Sequence, residues 1–410
     1  MRSADARIAC SAAILAASAA CLAAPDDWPK WRGPRHDGIS RETDWTTDGR
    51  GEPLWRTNVG LGHSTCSIAA GRLYTLGFDV ESKQDIVRCL EALTGETIWT
   101  AAYPATLMAV GHSGGTLTTP TVDGDRVYIS TRIGELRCLD AATGEVRWQR
   151  DMAKDAGTTS TIYGFGGSPL VIGDLVVCNV SRTVALDKLT GAAVWTTDDV
   201  AAIYATPTPC EVGGRPGIAA FAREGLYIYD RADGAKRFEF PWRKGDTTVN
   251  ASTPVIIDDH RIFISSGYNH GGALVDFSSG VAVSVWESRA MRTRLSGCVL
   301  VRGRGGKLLF GFDESVLKCL DLAGEERWRK RGMGMGALTA AGDRLIVISE
   351  RGELIVAKAT ADSYEELSRT TVFPAASGGV CWASPVLASG LIYCRNSQGE
   401  LACLDHRRPE

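Results

Sequence analysis

One phrase recurs along this chain at a spacing that leaves few folds open. "CLEALTGETIWTAAY" begins at Cys89, "CLDAATGEVRWQRD" at Cys138 and "ALDKLTGAAVWTTDD" at Ala185. Its closing aromatic falls at Trp55, Trp99, Trp148, Trp195, Phe238, Trp286, Trp328 and, in a degenerate copy, Phe373, so neighbouring copies lie 42 to 49 residues apart. Self-similarity at such a period marks one supersecondary unit that buries its apolar face only against copies of itself. The acidic start of the phrase stands at Glu91, Asp140, Asp187, Asp230, Asp276 and Asp321, with Lys358 in the degenerate copy. The C-terminal "LACLDHRRPE" has the acid without the aromatic, and the N-terminal "EPLWRTNVG" has the aromatic without the acid. Together they make one whole repeat. That predicts a ring closed by pairing the first strand with the last.

Each repeat reads as four short strands. An apolar strand around Thr121 meets the turn Asp123-Gly124-Asp125, a second runs from Arg126 to Ser130, and a hairpin turns at Gly134. A third strand ends at Asp140, and the last carries Trp148 after the Thr143-Gly144 turn. Alternating apolar residues between Gly/Asp turns argue for antiparallel β structure, and no stretch has long helical periodicity. The fold class expected is therefore all-β: an eight-bladed β-propeller of four-stranded antiparallel blades, or seven if the copy at Lys358 merges with a neighbour. Radial packing leaves no long free sheet edge. Within the phrase, Gly144 supplies the positive φ of a tight turn and Asp140 accepts that turn's backbone N–H groups. The docking tryptophans Trp55, Trp99, Trp148, Trp195, Trp286 and Trp328 pack between blades. Each buries about 150–250 Å², worth several kcal/mol at about 25 cal/mol per Å² as an upper estimate. Phe238, the Gly280 copy with two extra residues before Trp286, and Lys358 mark weaker blades.

Three segments are expected: residues 1–24 as a signal peptide, 25–51 as an N-terminal clasp along the outside or bottom of the ring, and 52–410 as the propeller. Arg2 and Arg7 precede the apolar, small-residue run "IACSAAILAASAACLAA", after which "PDDW" turns polar. That is the pattern of an export signal. Cys21 could instead carry a lipid anchor, although Ser18 stands where a bacterial lipobox usually has Leu. Past this run no segment is long and apolar enough to span a bilayer. The net charge of −3 gives no basic field to recruit nucleic acid. The protein is thus expected in the periplasm or cell envelope. Twelve cysteines in an exported chain would ordinarily suggest disulfides. Cys89, Cys138, Cys319 and Cys403, however, share one slot that Ala185, Ile228, Leu274 and Val356 fill elsewhere, which marks a core position. A disulfide among Cys66, Cys178, Cys210, Cys298, Cys381 and Cys394 stays open, and without a C-x-x-C neither zinc nor thioredoxin chemistry is indicated.

"CLDAATGEVRW" and "ALDKLTGAAVW" resemble the tryptophan-docking repeat of quinoprotein-like propellers, the pyrroloquinoline quinone (PQQ) repeat family, over residues 52–410. "DWPKWRGPRHDGIS", residues 27–40, resembles the opening of an exported subgroup with a WPxWRGPxxDG segment. The family includes quinone-dependent alcohol and sugar dehydrogenases. It also includes a propeller lipoprotein of the bacterial outer-membrane assembly machine, which binds partners and carries no cofactor. A dehydrogenase of this kind implies a flat quinone pocket, a calcium held by carboxylates and an amide, an aspartate base and a vicinal Cys-Cys disulfide. This sequence has no adjacent cysteines. Asp246 and Asn250 in "KGDTTVNASTP" are candidate calcium ligands, but polar turns explain them as well.

In such propellers the connections from one blade's outer strand to the next blade's inner strand reach the central funnel. Here they concentrate Gly, Ser, Thr, His and aromatic residues. His63 and His112 fall at matching places, each in a Gly-His-Ser, and Tyr163, Tyr204, Asn250, Arg294, Met335 and Trp382 sit at comparable offsets. These eight are the expected ligand- or partner-binding residues, and no catalytic residue is expected. Two histidines could bind a metal, but two ligands in Gly-rich loops are weak evidence, and no metal is expected. Ser64 or Ser113 beside a histidine would need an oriented base and an oxyanion site to be nucleophilic. The function expected is a non-catalytic binding or assembly scaffold, holding a protein or small ligand at the funnel and needing no cofactor. The alternative is a PQQ- and calcium-dependent alcohol or sugar dehydrogenase.

Overall fold

The computed structural model describes residues 27–159, 161–201, 203–245, 249–295, 297–303 and 306–409. The expected signal peptide and Cys21 lie outside the described residues, as does Asp246. Eight sheets follow one another around a ring, each built on four antiparallel strands, in sequence order from axis to rim except in blade 8. Blades 1 to 4 span residues 67–104, 121–151, 170–196 and 208–241, and blades 5 to 7 span 255–288, 299–330 and 337–371. Blade 8 takes its three inner strands from residues 386–405 and its rim strand from Trp55–Asn58, with Trp55 opposite Cys403. The copy at Lys358 forms its own blade. Among the described residues, helix is confined to Met152–Asp155 and a 3-10 turn at Ala375–Ser377.

The phrase acquires a physical meaning at the blade junctions. Each docking tryptophan sits on a rim strand and donates its indole N–H to a backbone carbonyl of the following blade. Trp99 reaches Ala141 O at 3.1 Å, Trp148 reaches Lys188 O at 3.2 Å and Trp328 reaches Thr360 O at 2.7 Å. Trp55, Trp195 and Trp286 reach Ala92 O, Arg231 O and Leu322 O. The indole lies against the turn glycine of that next blade at five of the six junctions, and Trp328 meets the Tyr364 ring instead. A Cβ on Gly144, at φ +78°, would come 2.5 Å from the Trp99 ring. The glycine is thus required twice, for the turn and for the approach of its neighbour's indole. Asp140 accepts the N–H groups of Ala142 and Thr143 at 2.8 and 2.9 Å. The cysteine slot is the cross-strand partner of the tryptophan: Cys89 faces Trp99, Cys138 faces Trp148 and Cys319 faces Trp328. All four slot cysteines are fully buried, and the ten cysteines from Cys66 to Cys403 carry free thiols.

One expectation is corrected and another is narrowed. The docking position of blade 7 is Ser368, opposite Val356, and not Phe373, which lies beyond the strand against Gly352. Ser368 donates to Thr47 O at 2.7 Å, and Trp45 of the N-terminal segment joins the core between blades 7 and 8. Of the two places expected for the segment from residue 27, it lies at the bottom of the ring and not along its outside. Trp28 exchanges backbone bonds with Ile68 on the inner strand of blade 1, and Pro29 O accepts from Val122 in blade 2. Trp31 donates its indole N–H to Thr253 beside blade 5 at 3.0 Å, and Arg32 reaches Cys298 O beside blade 6 at 2.7 Å. Ile39–Ser40 then adds a parallel fifth strand inside blade 7, and Glu42 accepts N–H groups from Ser389 and Gly390 in blade 8. The segment therefore crosses the central channel. It can do so because its apolar rings and backbone groups find partners on the inner strands, whose own inward edges are otherwise unpaired.

Candidate functional site

The crossing segment divides the channel into two mouths. On the side of the rim-to-axis connections it leaves a cavity of about 210 Å³, with Trp31 at its inner end. The opposite mouth is a wider depression of about 710 Å³ edged by Arg41, Arg231 and Arg302.

Six of the eight residues singled out in the sequence line the first cavity: His63, His112, Tyr163, Tyr204, Arg294 and Trp382. Five of them form an arc over five successive blades. Trp382 stacks on His63 with centroids 5.0 Å apart, and His63 meets His112 edge-on at 5.2 Å. His112 stacks on Tyr163 at 5.9 Å, and Tyr163 meets Tyr204 at 6.2 Å. The arc is pinned from behind. The Trp382 indole donates to Glu350 Oε1 at 3.1 Å, and the Tyr204 hydroxyl and Thr161 Oγ1 share a 2.8 Å bond. Across the cavity, the Arg294 guanidinium lies over the Tyr268 ring at 4.4 Å, within cation–π range.

Both histidines are neutral at physiological pH. Burial, with His112 and the Arg395 guanidinium nearby, pushes His63 down to about 3. Burial and the charge of Arg132 lower His112. His112 Nδ1 accepts from Gly114 N–H at 3.0 Å, which places the proton of the neutral ring on Nε2. Both His63 ring nitrogens are buried without a hydrogen-bond partner. Behind His63, Arg395 is buried and donates to the carbonyls of Ser64, Leu76 and Gly60 at 2.6–2.9 Å and to Thr75 Oγ1 at 3.1 Å. None of those acceptors carries charge.

Asn250 and Met335 are not part of the cavity lining. Asn250 is buried; its amide donates to Ala222 O at 2.7 Å and its carbonyl accepts from Ser266. Its place is to satisfy backbone between blades 4 and 5. Met335 offers its backbone N–H to Glu350, the carboxylate that also holds Trp382. The sequence reading missed Trp31, Tyr268 and Leu295, which do line the cavity. Tyr268 belongs to a hairpin inside blade 5, so an offset rule for blade connections passes over it.

The chemistry available is narrow. Ser64 donates to Thr116 Oγ1 at 2.8 Å, not to His63, so no serine–histidine pair forms there. Among the described residues no third metal-binding side chain joins His63 and His112; the one such cluster is Asp258, Asp259 and His260 on an outer turn. No carboxylate is among the described lining residues. Calcium takes six to eight oxygen ligands, usually including carboxylates, and the described lining residues, which do not include Asp246, do not by themselves make such a set.

Comparison with known proteins places this frame. The model of a PQQ-repeat family, described as outer membrane protein assembly factor BamB, matches residues 82–305, more than half of the chain. The chain belongs to this family. Among solved structures, BamB from Moraxella catarrhalis matches with a TM-score of 0.60 at 18% identity, covering 87% of this chain and 99% of that one. The quinohemoprotein alcohol dehydrogenase from Comamonas testosteroni matches at 0.53 and 13% identity, covering 96% of this chain and 82% of that one. A europium-containing methanol dehydrogenase matches at 0.55 and 12% identity, with 90% of each chain covered. At these identities the PQQ-repeat propellers share a fold with this chain, and function has to be argued from the site. Comparison with curated proteins gives no significant match. No helix among the described residues is long and apolar enough to cross a membrane.

Proposed function

We propose that this propeller is a non-catalytic binding protein of the cell envelope, and that its funnel cavity is the ligand site. One observation carries the reading. The cavity presents rings and a single guanidinium, with no carboxylate among its described lining residues and no histidine bonded to a nucleophile. Convergent rings and a few placed polar groups suit binding. A dehydrogenase would need a base to take the substrate's proton; burial weakens both histidines as bases, and His63 has no orienting partner. An assembly role is in keeping with the description of the matched family, and the envelope location with the export-like composition of residues 1–24.

The test is a titration of the purified chain with PQQ and calcium, followed by quinone absorbance and by dye-linked turnover of alcohols and sugars. No saturable calcium-dependent change and no turnover are expected. Saturable binding with dye reduction would replace this reading with the dehydrogenase.

A further inference from the structure

We propose that the funnel cavity is a receptor for a compact, planar aromatic carboxylate, its ring held by the aromatic arc and its carboxylate by Arg294. The proposal rests on the reading of the funnel as a binding site and names what it binds. Four independent observations carry it.

The cavity is small. About 210 Å³ falls below the roughly 300–1,000 Å³ of sites for drug-sized ligands, so the occupant has one or two rings. Its walls are ring faces and aliphatic side chains such as Val110, Leu117 and Leu295. Stacked and edge-on geometries along the arc show that these rings already pack as aromatic groups do, and a planar guest extends that packing.

The charge of the described lining has one sign. Arg294 is the single cationic residue of the described lining, and its Nε is buried without a partner. The Tyr268 ring, 4.4 Å from the guanidinium carbon, restrains that group by a cation–π contact. A planar fork of N–H groups held in place is the group that best recognises a carboxylate. Arg395 adds a second positive charge behind His63, bonded to carbonyls and a hydroxyl. A cationic guest would meet these charges with no acid in the described lining to offset them.

The last observation concerns the guest's ring. His63 offers one donor and one acceptor, both buried and unmatched, on the wall opposite Arg294. A buried polar atom without a partner is costly. A guest with a ring N–H or hydroxyl satisfies it. The ligand chemistry is therefore bipolar, with a carboxylate at one end and a hydrogen-bonding ring edge at the other.

Indole-3-acetate is a suitable probe, because its ring carries an N–H and its side chain the acid. By isothermal titration calorimetry on the purified chain, it is expected to bind with a Kd of about 100 µM or tighter. Indole-3-acetamide and cyclohexane acetate should each bind at least ~10-fold more weakly, because one lacks the charge and the other the ring. Arg294→Gln should abolish the preference for acid over amide. Arg294→Lys, which keeps the charge but loses the fork, should retain part of it. If Arg294→Gln fails to fold, the three-ligand comparison on the unaltered chain still decides. Equal affinity for acid and amide, or for indole and cyclohexane acids, would overturn the proposal, as would no binding of the acid at millimolar concentration. Failure of this inference leaves the absence of turnover intact. Conversion of the bound acid to a product would instead remove the non-catalytic reading while the ligand class stands.

Discussion

The blade junctions and the funnel are built by opposite rules. At a junction every part has a fixed partner: Trp99 has the carbonyl of Ala141, the surface of Gly144 and Cys89 across the strand. The same arrangement recurs at Trp55 and Trp148 with other residues in the same roles, and at Trp328 with Tyr364 in place of the glycine. In the funnel the side chains change from Trp to His to Tyr to Arg around the ring, and key atoms of His63 and Arg294 have no partner at all. The difference teaches where stability and specificity reside. The junction spends its polar atoms inside the fold, and the funnel keeps some of its own for a guest.

That contrast can be broken by substitution. Trp99→Ala should cost about 3–5 kcal/mol of stability, from the cavity and the lost indole bond, seen as a large fall in the urea midpoint. Gly144→Ala should cost about 1–3 kcal/mol through its positive φ and its approach to Trp99. In a Trp99→Ala background the clash disappears, so a double-mutant cycle should show coupling of at least ~0.5 kcal/mol. Additive costs would mean that the indole and the glycine do not share the junction as described.

A third, smaller effect is set by pH. His63 and His36 are both pushed down to about 3, chiefly by burial, and His270 to about 4, from an ordinary value of 6.5. A group depressed in the folded state binds its proton more readily when unfolded. Its contribution to stability is present above pH 6.5 and is lost as pH falls toward the folded value. Urea midpoints should therefore decline between pH 6.5 and 4, and His63→Gln should flatten part of that decline. A midpoint constant over this range would sink the assignment of buried neutral histidines. The smallest effect is expected at Arg294→Gln, whose thermal unfolding should move by no more than ~0.5 kcal/mol, as for a residue outside the packed core. A junction-sized loss there would make Arg294 part of the frame.

Much of the frame was legible in the sequence because its parts are local. The acid, the turn glycine and the tryptophan lie within about nine residues of one another, and the ring closure follows from one repeat split between the two ends. The error at Phe373 has a plain cause. The rim strand of blade 7 lacks an aromatic, so the next one along the chain was taken, while Ser368 holds the position and Trp45 arrives from elsewhere. The funnel was legible in part, since equal offsets in the connections found six lining residues. Asn250 shares the offset, but its amide is used up by backbone. Trp31 carried no local signal, because its partner Thr253 lies 222 residues away. A crossing segment has no period, so nothing in a repeat could announce it.

The route of that segment bears on how the chain can be made. Residues 28–58 have partners at Cys298, Ala340, Gly390, Cys403 and His406, all in the last third of the sequence. A chain that emerges N-terminus first must hold its opening stretch unfinished until the last strands exist. Such long-range closure is slow and exposes strand edges meanwhile. The final act of folding is then a locking of residues 28–58 by the last strands, so a truncation that removes Glu400–Asp405 should trap the molecule as an open crescent.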